Sequence, residues 1–395
     1  MEIDEEKVKA INAAKPPIYE KGLRELLSVH SGKRLIATES YDCIPRSDAS
    51  FICVGTPSDS AGGVDLSMVK SASESIGEML KDSECYHLVV VKSTVPPGTT
   101  SGLVAAEVLD HSVKGEEEIG FAMNPEFLRE GLAVQDFMNP DRIVIGCDIE
   151  RAGDIVEQIY LGLSAPVMRT DLAAAEMVKY VSNAFLAAKI SFSNEIGNIC
   201  KRLGIDVYDV MKGVGMDSRI SPLFLNAGAG FGGSCFPKDV SAFVRLAEGL
   251  GENPIILRSV IDVNDQQPLR MVNMLETKLG NLKGKRIAVL GLAFKTDTDD
   301  VRDSRSIPVI KELMRKGAEV SAYDPCAIRS MSRTFPDIDY FQSAAEALRL
   351  ADGCLVMTEW PEFGDLDKEF DLMKSRVIIE GRRILKCQGA EGICW

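Results

Sequence analysis

Residues 87–94 read "HLVVVKST", a short apolar, β-branched run that stops at a lysine and two hydroxyl side chains. Such a run is a strand signal. Four more runs of its kind flank it, "RLIAT", "ASFICVG", "IGFAMNPE" and "RIVIGC", and helical patterns fall between them at about 66–80, 99–110 and 150–162. Strands alternating with helices predict a parallel α/β sheet. Residues 172–202, "LAAAEMVKYVSNAFLAAKISFSNEIGNICKR", hold no Pro and no Gly before Gly197 and space their apolar positions helically, so they predict one long central helix. Helical segments continue to about residue 280. After "NLKGK" a second alternating series begins, "RIAVLGL", "AEVSAYDP", "DGCLVMTEW" and "RVIIEG", which predicts a second doubly wound domain. The expected architecture is α/β, with two doubly wound Rossmann-like domains joined by the long helix and a helical middle domain, divided at 1–165, 166–280 and 281–395.

A chain of 395 residues fits two or three domains. No run approaches the roughly 18 apolar residues of a membrane span. The acidic start "MEIDEEKVKA" lacks the basic and apolar regions of a signal peptide, so a cytoplasmic location is the default expectation. The formal charge of −14 disfavours a nucleic-acid partner and leaves room for a local basic pocket that takes a phosphorylated small molecule. Ten cysteines form no CxxC pair, and most sit in apolar runs such as "FICVG" and "DGCLVM", which reads as reduced core residues. Three histidines, none near Cys235 in sequence, give little support to a zinc site or a Cys/His hydrolase, and no metal is expected.

The stretch "GFGGSCFPKDV", 230–240, places Cys235 behind a glycine pair, with Lys238 and Asp239 just beyond. The glycines allow close approach of the backbone to a ligand, and Pro237 stiffens the exit. Lys238 and Asp239 bias the thiol in opposite directions. From these residues alone, a glycine-rich turn with a buried cysteine fits as well as a catalytic thiol.

Four further stretches join this one: "VVVKSTVPPGTT" (89–100), "NPEFLREG" (124–131), "KYVSNAFLAAKISFSNE" (179–195) and "GLAFKTDTDDVRDS" (291–304). Together, in order and over residues 2 to about 385, they resemble the nucleotide-sugar 6-dehydrogenases. That resemblance implies a double oxidation of the sugar C6 alcohol with two NAD⁺, through a thiohemiacetal and a thioester on Cys235. It implies that Lys179 and Asn183, four apart on one helix face, stabilise the alkoxide and oxyanion at C6. By the same resemblance Asp239 orders the catalytic water and lysine, and Glu126, helped by Thr94, activates water for thioester hydrolysis. Read alone, these residues fit a polar helix stripe, a helix cap and a strand-end turn equally well.

The resemblance further implies sugar-nucleotide contacts from Glu126, Phe127 and Leu128, from Phe224, Leu225, Asn226, Phe231 and Gly232, and from Phe294, Lys295 and Arg383. Cationic side chains among them suit a pyrophosphate. Arg219 resembles an arginine that reaches the neighbouring subunit's site, which implies a homodimer built on the long helix. NAD contacts are implied for Glu2, Lys7, Thr56, Thr94, Glu130, Lys238 and Arg302. "VLGLAF" looks like a dinucleotide loop but lacks the full glycine fingerprint, and its domain is implied to hold UDP.

Members of this family open with a strand, a GxGxxG turn and a helix, a unit of roughly 30 residues. No counterpart exists here: Glu2 falls where the ribose-binding acid is expected, so the first domain is expected to lack its first strand and glycine turn. A start inside a longer reading frame or a damaged paralogue would both give this, and weak NAD binding with little turnover is expected of the chain from Met1. "GGSCFPKD" favours UDP-glucose as substrate over N-acetylated sugars, with GDP-mannose the nearest alternative. A silent UDP-sugar-binding assembly subunit and a thiol hydrolase are the rivals from other classes.

Overall fold

The computed structural model describes residues 1–115 and 117–395. The chain divides into two compact units, Met1–Ser182 and Asn183–Trp395.

The first unit is built on a five-stranded sheet of β1 (Ala49–Ile52), β2 (His87–Val91), β3 (Ile119–Met123), β4 (Ile143–Cys147) and β5 (Val167–Thr170), hydrogen-bonded in that order. Ahead of it lie two short helices, α1 (Glu5–Asn12) and α2 (Leu23–His30). Every residue of β2 is buried, and its alternation feeds two cores. Val89 and Val91 pack with Val69, Ile76, Val104 and Val108, which come from α3 (Ser67–Leu80), from α4 (Ala105–Ser112) and from the turn before α4. Leu88 and Val90 face the other way, towards Ile145 and the Val156 of α6 (Glu150–Ile159), reached past α5 (Ala133–Met138). Each such side chain contributes about 1.5–3 kcal/mol when fully buried, which is why an unbroken β-branched run specifies a central strand.

Two sequence expectations need correction. "RLIAT" forms no strand: Leu35 makes only an isolated bridge to Ser31, and Leu35 and Ile36 remain 40% and 69% exposed. Its backbone is held instead by Glu2 N–H donating to Thr38 O and by the Asn12 side chain gripping Ala37, because no strand lies alongside to accept a ladder. The sheet is also not wholly parallel. β4 runs antiparallel to β3, with Ala122 opposite Cys147, so residues 124–142 leave and re-enter at the same end of the sheet.

α7 (Leu172–Leu203) begins in the first unit and continues into the second, bearing out the long central helix. α8 (Val207–Gly215), α9 (Phe236–Gly249) and α10 (Ile255–Leu279) follow. The second sheet contains β6 (Arg286–Leu290), β7 (Glu319–Tyr323), β8 (Asp339–Tyr340), β9 (Gly353–Val356), β10 (Ile378–Glu380) and β11 (Ala390–Gly392), in the order β11-β10-β9-β6-β7-β8, all parallel. Its order reverses between β6 and β9, the switch point at which open α/β sheets bind ligands. Among the described residues the first sheet's order runs one way only, and β1 pairs with β2 alone. Among the described residues no helix is long and apolar enough to cross a membrane.

The cysteines are less buried than their sequence context suggests. All ten are free; Cys43, Cys53, Cys85, Cys235 and Cys326 are exposed, whereas Cys200, Cys354 and Cys394 are buried. "FICVG" misleads because β1 ends at the buried Ile52, and Cys53, just past it, is exposed.

Candidate active site

In the second unit the loop "AGAGFGG" is strapped to its surroundings through its backbone. Asn194 accepts from Gly228 N at 2.7 Å, and Ala229 N donates to Gly381 O. Asn264 of α10 accepts from Phe231 N at 2.7 Å and returns a donor to Phe231 O at 3.1 Å. Arg382 donates to Gly230 O at 2.7 Å. Gly233, at φ 86°, lies flat against Phe294: a methyl group there would meet the ring at 2.7 Å. A side chain at Gly232 would run into the Asp303 carbonyl, and Gly233 N donates to Arg302 O. The glycine pair is thus required by the close approach of residues 294–303.

This strapped loop delivers Cys235 to the N-terminus of α9, with Pro237 in the first turn, where Pro is tolerated. The thiol is exposed, with Ser234 Oγ at 3.7 Å. One turn on, Asp239 is 1% exposed; its carboxylate accepts from Asn183 Nδ2 and from Lys238 Nζ, each at 2.6 Å. Phe236 stacks edge-on with Phe231 and with Phe224, which is held at a left-handed φ of 63°. The expected residues Cys235, Lys238, Asp239, Asn183, Phe231, Gly232, Phe224 and Phe294 therefore fall into one neighbourhood. Leu225 is buried in the core, and Asn226 is exposed.

The first unit assembles a second cluster at the carboxyl ends of β2 and β3. Lys179, 4% exposed on α7, donates to Glu126 Oε1 at 2.9 Å, and Leu128 N caps the other carboxylate oxygen at 2.5 Å. Phe127 receives the Arg142 guanidinium at 3.9 Å from its ring centre and Lys179 Nζ at 5.5 Å. Thr94 is half-buried just beyond β2. Lys179 and Asn183 stand one turn apart on α7, so one helix carries a cation and an amide on the same side, the first held by the half-buried Glu126 and the second by the buried Asp239.

Other expected residues are engaged elsewhere. Arg383 pairs with Asp206 and lies over Tyr208, 4.7 Å from the ring centre. Arg219 is 86% exposed and paired with Asp217; Arg302 pairs with Asp300; Lys295 lies 5.6 Å from the Phe294 ring centre. Sequence reasoning passed over Lys92, Asn124 and Tyr160, which form a buried hydrogen-bonded knot behind Glu126, and Asn264, whose amide imitates a strand neighbour for Phe231. Lys92 and Asn124 lie inside quoted motifs; Tyr160 and Asn264 carry no local signal.

The turn after β6 is closed to a dinucleotide for a physical reason. Asp324, buried at the end of β7, accepts from Leu292 N, Ala293 N and Trp360 Nε1 through one oxygen, and from Cys326 N and Ala327 N through the other. The backbone donors that a pyrophosphate would use in such a turn are consumed by a carboxylate. In the first unit, beyond the carboxyl ends of β1 and β2, Thr56 is buried and Thr94 half-buried, and Glu130 lies further along the loop after β3. Glu2 accepts from Asp4 N and sits 3.9 Å from Lys7. The N-terminus of α1 does not suit a diphosphate: Asp4 caps Glu6 N and Lys7 N, and Glu5 and Glu6 add like charge.

The family profiles for UDP-glucose/GDP-mannose dehydrogenases match the chain in three parts: the NAD binding domain at residues 1–164, the central domain at 173–266 and the UDP binding domain at 288–387. The UDP-glucose 6-dehydrogenase AglM of Haloferax volcanii is 48% identical over 391 residues, covering 98% of this chain and 91% of that protein. The UDP-glucose 6-dehydrogenase TuaD of Bacillus subtilis is 43% identical, covering 98% and 84%. A UDP-glucose dehydrogenase structure from Pyrobaculum islandicum superposes with a TM-score of 0.95 at 43% identity, covering 100% of this chain and 91% of that one. The UDP-D-ManNAc dehydrogenase of Pyrococcus horikoshii gives 0.87 at 27% identity, covering 99% and 92%. The chain belongs to the UDP-glucose/GDP-mannose dehydrogenase family, a family of NAD-dependent oxidoreductases.

Proposed function

We propose that this protein oxidises UDP-glucose at C6 to UDP-glucuronate, with Cys235 as a covalent nucleophile. The observation that carries the reading is the exposed Cys235 thiol at the head of α9, one turn before an aspartate buried against Asn183 and Lys238. Stronger likeness to UDP-glucose dehydrogenases than to a UDP-D-ManNAc dehydrogenase favours glucose over an N-acetylated sugar. NAD⁺ supplies the hydride acceptor for each of the two oxidations.

In the first oxidation C6 loses a hydride and its hydroxyl a proton, giving the aldehyde. The Lys179 ammonium, already oriented by Glu126, and the Asn183 amide stabilise the oxygen anion that forms. The Cys235 sulfur adds to the aldehyde carbon, forming a C–S bond and a thiohemiacetal. Loss of a second hydride, together with the hydroxyl proton of the thiohemiacetal, gives the thioester, and water then breaks the C–S bond, releasing the carboxylate and restoring the thiol. Glu126, with Thr94 beside the same strand ends, takes the proton from that water. Asp239 holds Lys238 and Asn183 in place. Phe127, Leu128, Phe224, Leu225, Asn226, Phe231, Gly232, Phe294, Lys295 and Arg383 are assigned to the sugar nucleotide, and Arg219 to a neighbouring subunit of a homodimer. Glu2, Lys7, Thr56, Thr94, Glu130, Lys238 and Arg302 are assigned to NAD.

The test is absorbance at 340 nm with the full chain, UDP-glucose and NAD⁺ at several millimolar. Two NADH per UDP-glucuronate are expected, with a sugar adduct on the Cys235 peptide in quenched samples. Cys235→Ser should lower the rate at least about 100-fold. No NADH from the wild type, or undiminished NADH from Cys235→Ser, defeats the proposal.

A further inference from the structure

Lys92, the first residue after β2, carries a mostly buried ammonium that makes no ion pair among the described residues. Its donors go to Asn124 O at 3.3 Å, Asn124 Oδ1 at 2.9 Å and the Tyr160 hydroxyl at 2.9 Å. Burial pushes its pKa down, because the charged form is penalised there. A methionine of similar length would fill this space without a desolvated charge, so packing alone does not account for a lysine.

The hydrogen bonds point to its use. Asn124 is 1% exposed and held on every side: its N–H donates to Val91 O, its Nδ2 to Val144 O at 2.8 Å, and its Oδ1 accepts from both Lys92 and Tyr160. Burial keeps Tyr160 a protonated donor, with its pKa pushed up to about 12. Two residues further along a proline-stiffened turn stands Glu126, which receives the Lys179 ammonium. The charged and titratable groups facing Lys92 are the Cys53 thiol beyond β1, Tyr160 beyond α6, Glu126 beyond β3, and Lys179 on α7.

We propose that Lys92 is the positioning residue of the Glu126–Lys179 pair: anchored on Asn124 and Tyr160, it fixes the Asn124-Pro125-Glu126 turn that carries Glu126 to Lys179. It acts through Asn124 and the turn that follows. The inference rests on the assignment of Glu126 and Lys179 to the reaction.

The experiment uses the full chain in three forms, wild type, Lys92→Met and Tyr160→Phe, with turnover of UDP-glucose and the melting temperature measured on the same samples. In Lys92→Met kcat should fall at least about tenfold with KM for UDP-glucose changed less than about threefold. Tyr160→Phe, which loosens Asn124 from the other side, should lower kcat by about threefold or more with KM again little changed. A folded Lys92→Met that keeps kcat within about twofold of the wild type overturns the proposal, as does a KM that rises in step with the fall in kcat; if Lys92→Met does not fold, an unchanged kcat in Tyr160→Phe overturns it. A wild type that makes no NADH defeats the dehydrogenase assignment instead.

Discussion

His87 opens β2 with a ring 1% exposed, Nδ1 2.9 Å from Ser47 O and Nε2 2.9 Å from Ser50 Oγ. Nδ1 donates to the carbonyl and Nε2 accepts from the serine hydroxyl, an arrangement that a neutral imidazole completes. Burial pushes the ring's pKa below its ordinary value, outweighing the raising effects of Ser47 and Asp48. A base whose pKa falls on folding contributes stability that is complete above the unfolded value and is lost as pH falls through the folded one. The protein should therefore lose stability on acidification from about pH 6.5, by at most about 1.4 kcal/mol per pH unit from this group. Melting curves between pH 7.5 and 5 should show a steeper fall for the wild type than for His87→Gln; parallel falls would refute the assignment. Little of this is legible from residue types. Cys235, Glu126 and Lys179 announce themselves through motifs, whereas His87, Asp324 and Tyr160 acquire their roles only when non-local partners arrive.

Elements were legible where the signal is local. "HLVVV" became a strand because a buried β-branched run has one natural place in an α/β sheet, and residues 172–202 became α7 because nothing in them breaks a helix. "RLIAT" has a similar apolar, β-branched character and failed, since a strand also needs a neighbour; the reversed direction of β4 is set by where residues 124–142 travel, which no single run encodes. α7 also shows a feature invisible to a simple apolar count. Phe185, Phe192, Ile199 and Leu203 are 65%, 57%, 51% and 67% exposed, and Val181 is 46% exposed. Their spacings of four, seven, seven and four residues place them on one stripe of the helix. A second copy of the chain is the proposed cover, in keeping with the expected homodimer. Light scattering at micromolar concentration should give about twice 43.0 kDa, and Phe185→Glu combined with Phe192→Glu should halve it. A monomeric wild type would remove the dimer.

At the scale of the whole molecule, the two sheets differ in what they offer a nucleotide. The second sheet has a complete reversal of strand order between β6 and β9, and its first turn is already sealed by Asp324, so its crevice is formed yet unsuited to a dinucleotide there. In the first sheet the strand order passes from β1 to β5 without a reversal, β1 pairs on one side only among the described residues, and the N-terminus of α1 is capped by the Asp4 carboxylate. With its N-terminal amides taken by Asp4, α1 supplies no diphosphate cradle. Ligands that bind only the folded state stabilise it by RT ln(1 + [L]/Kd), about 2.7 kcal/mol at a hundredfold excess over Kd. UDP or UDP-glucose at 1 mM should then raise the melting temperature by about 2–4 °C, whereas NAD⁺ at the same concentration should move it by less than about 1 °C. The same asymmetry predicts turnover that keeps rising with NAD⁺ into the millimolar range while UDP-glucose saturates far lower. A larger shift from NAD⁺ than from UDP would show that the first unit builds its diphosphate site from backbone other than α1, and would reverse the assignment of weak and strong sites.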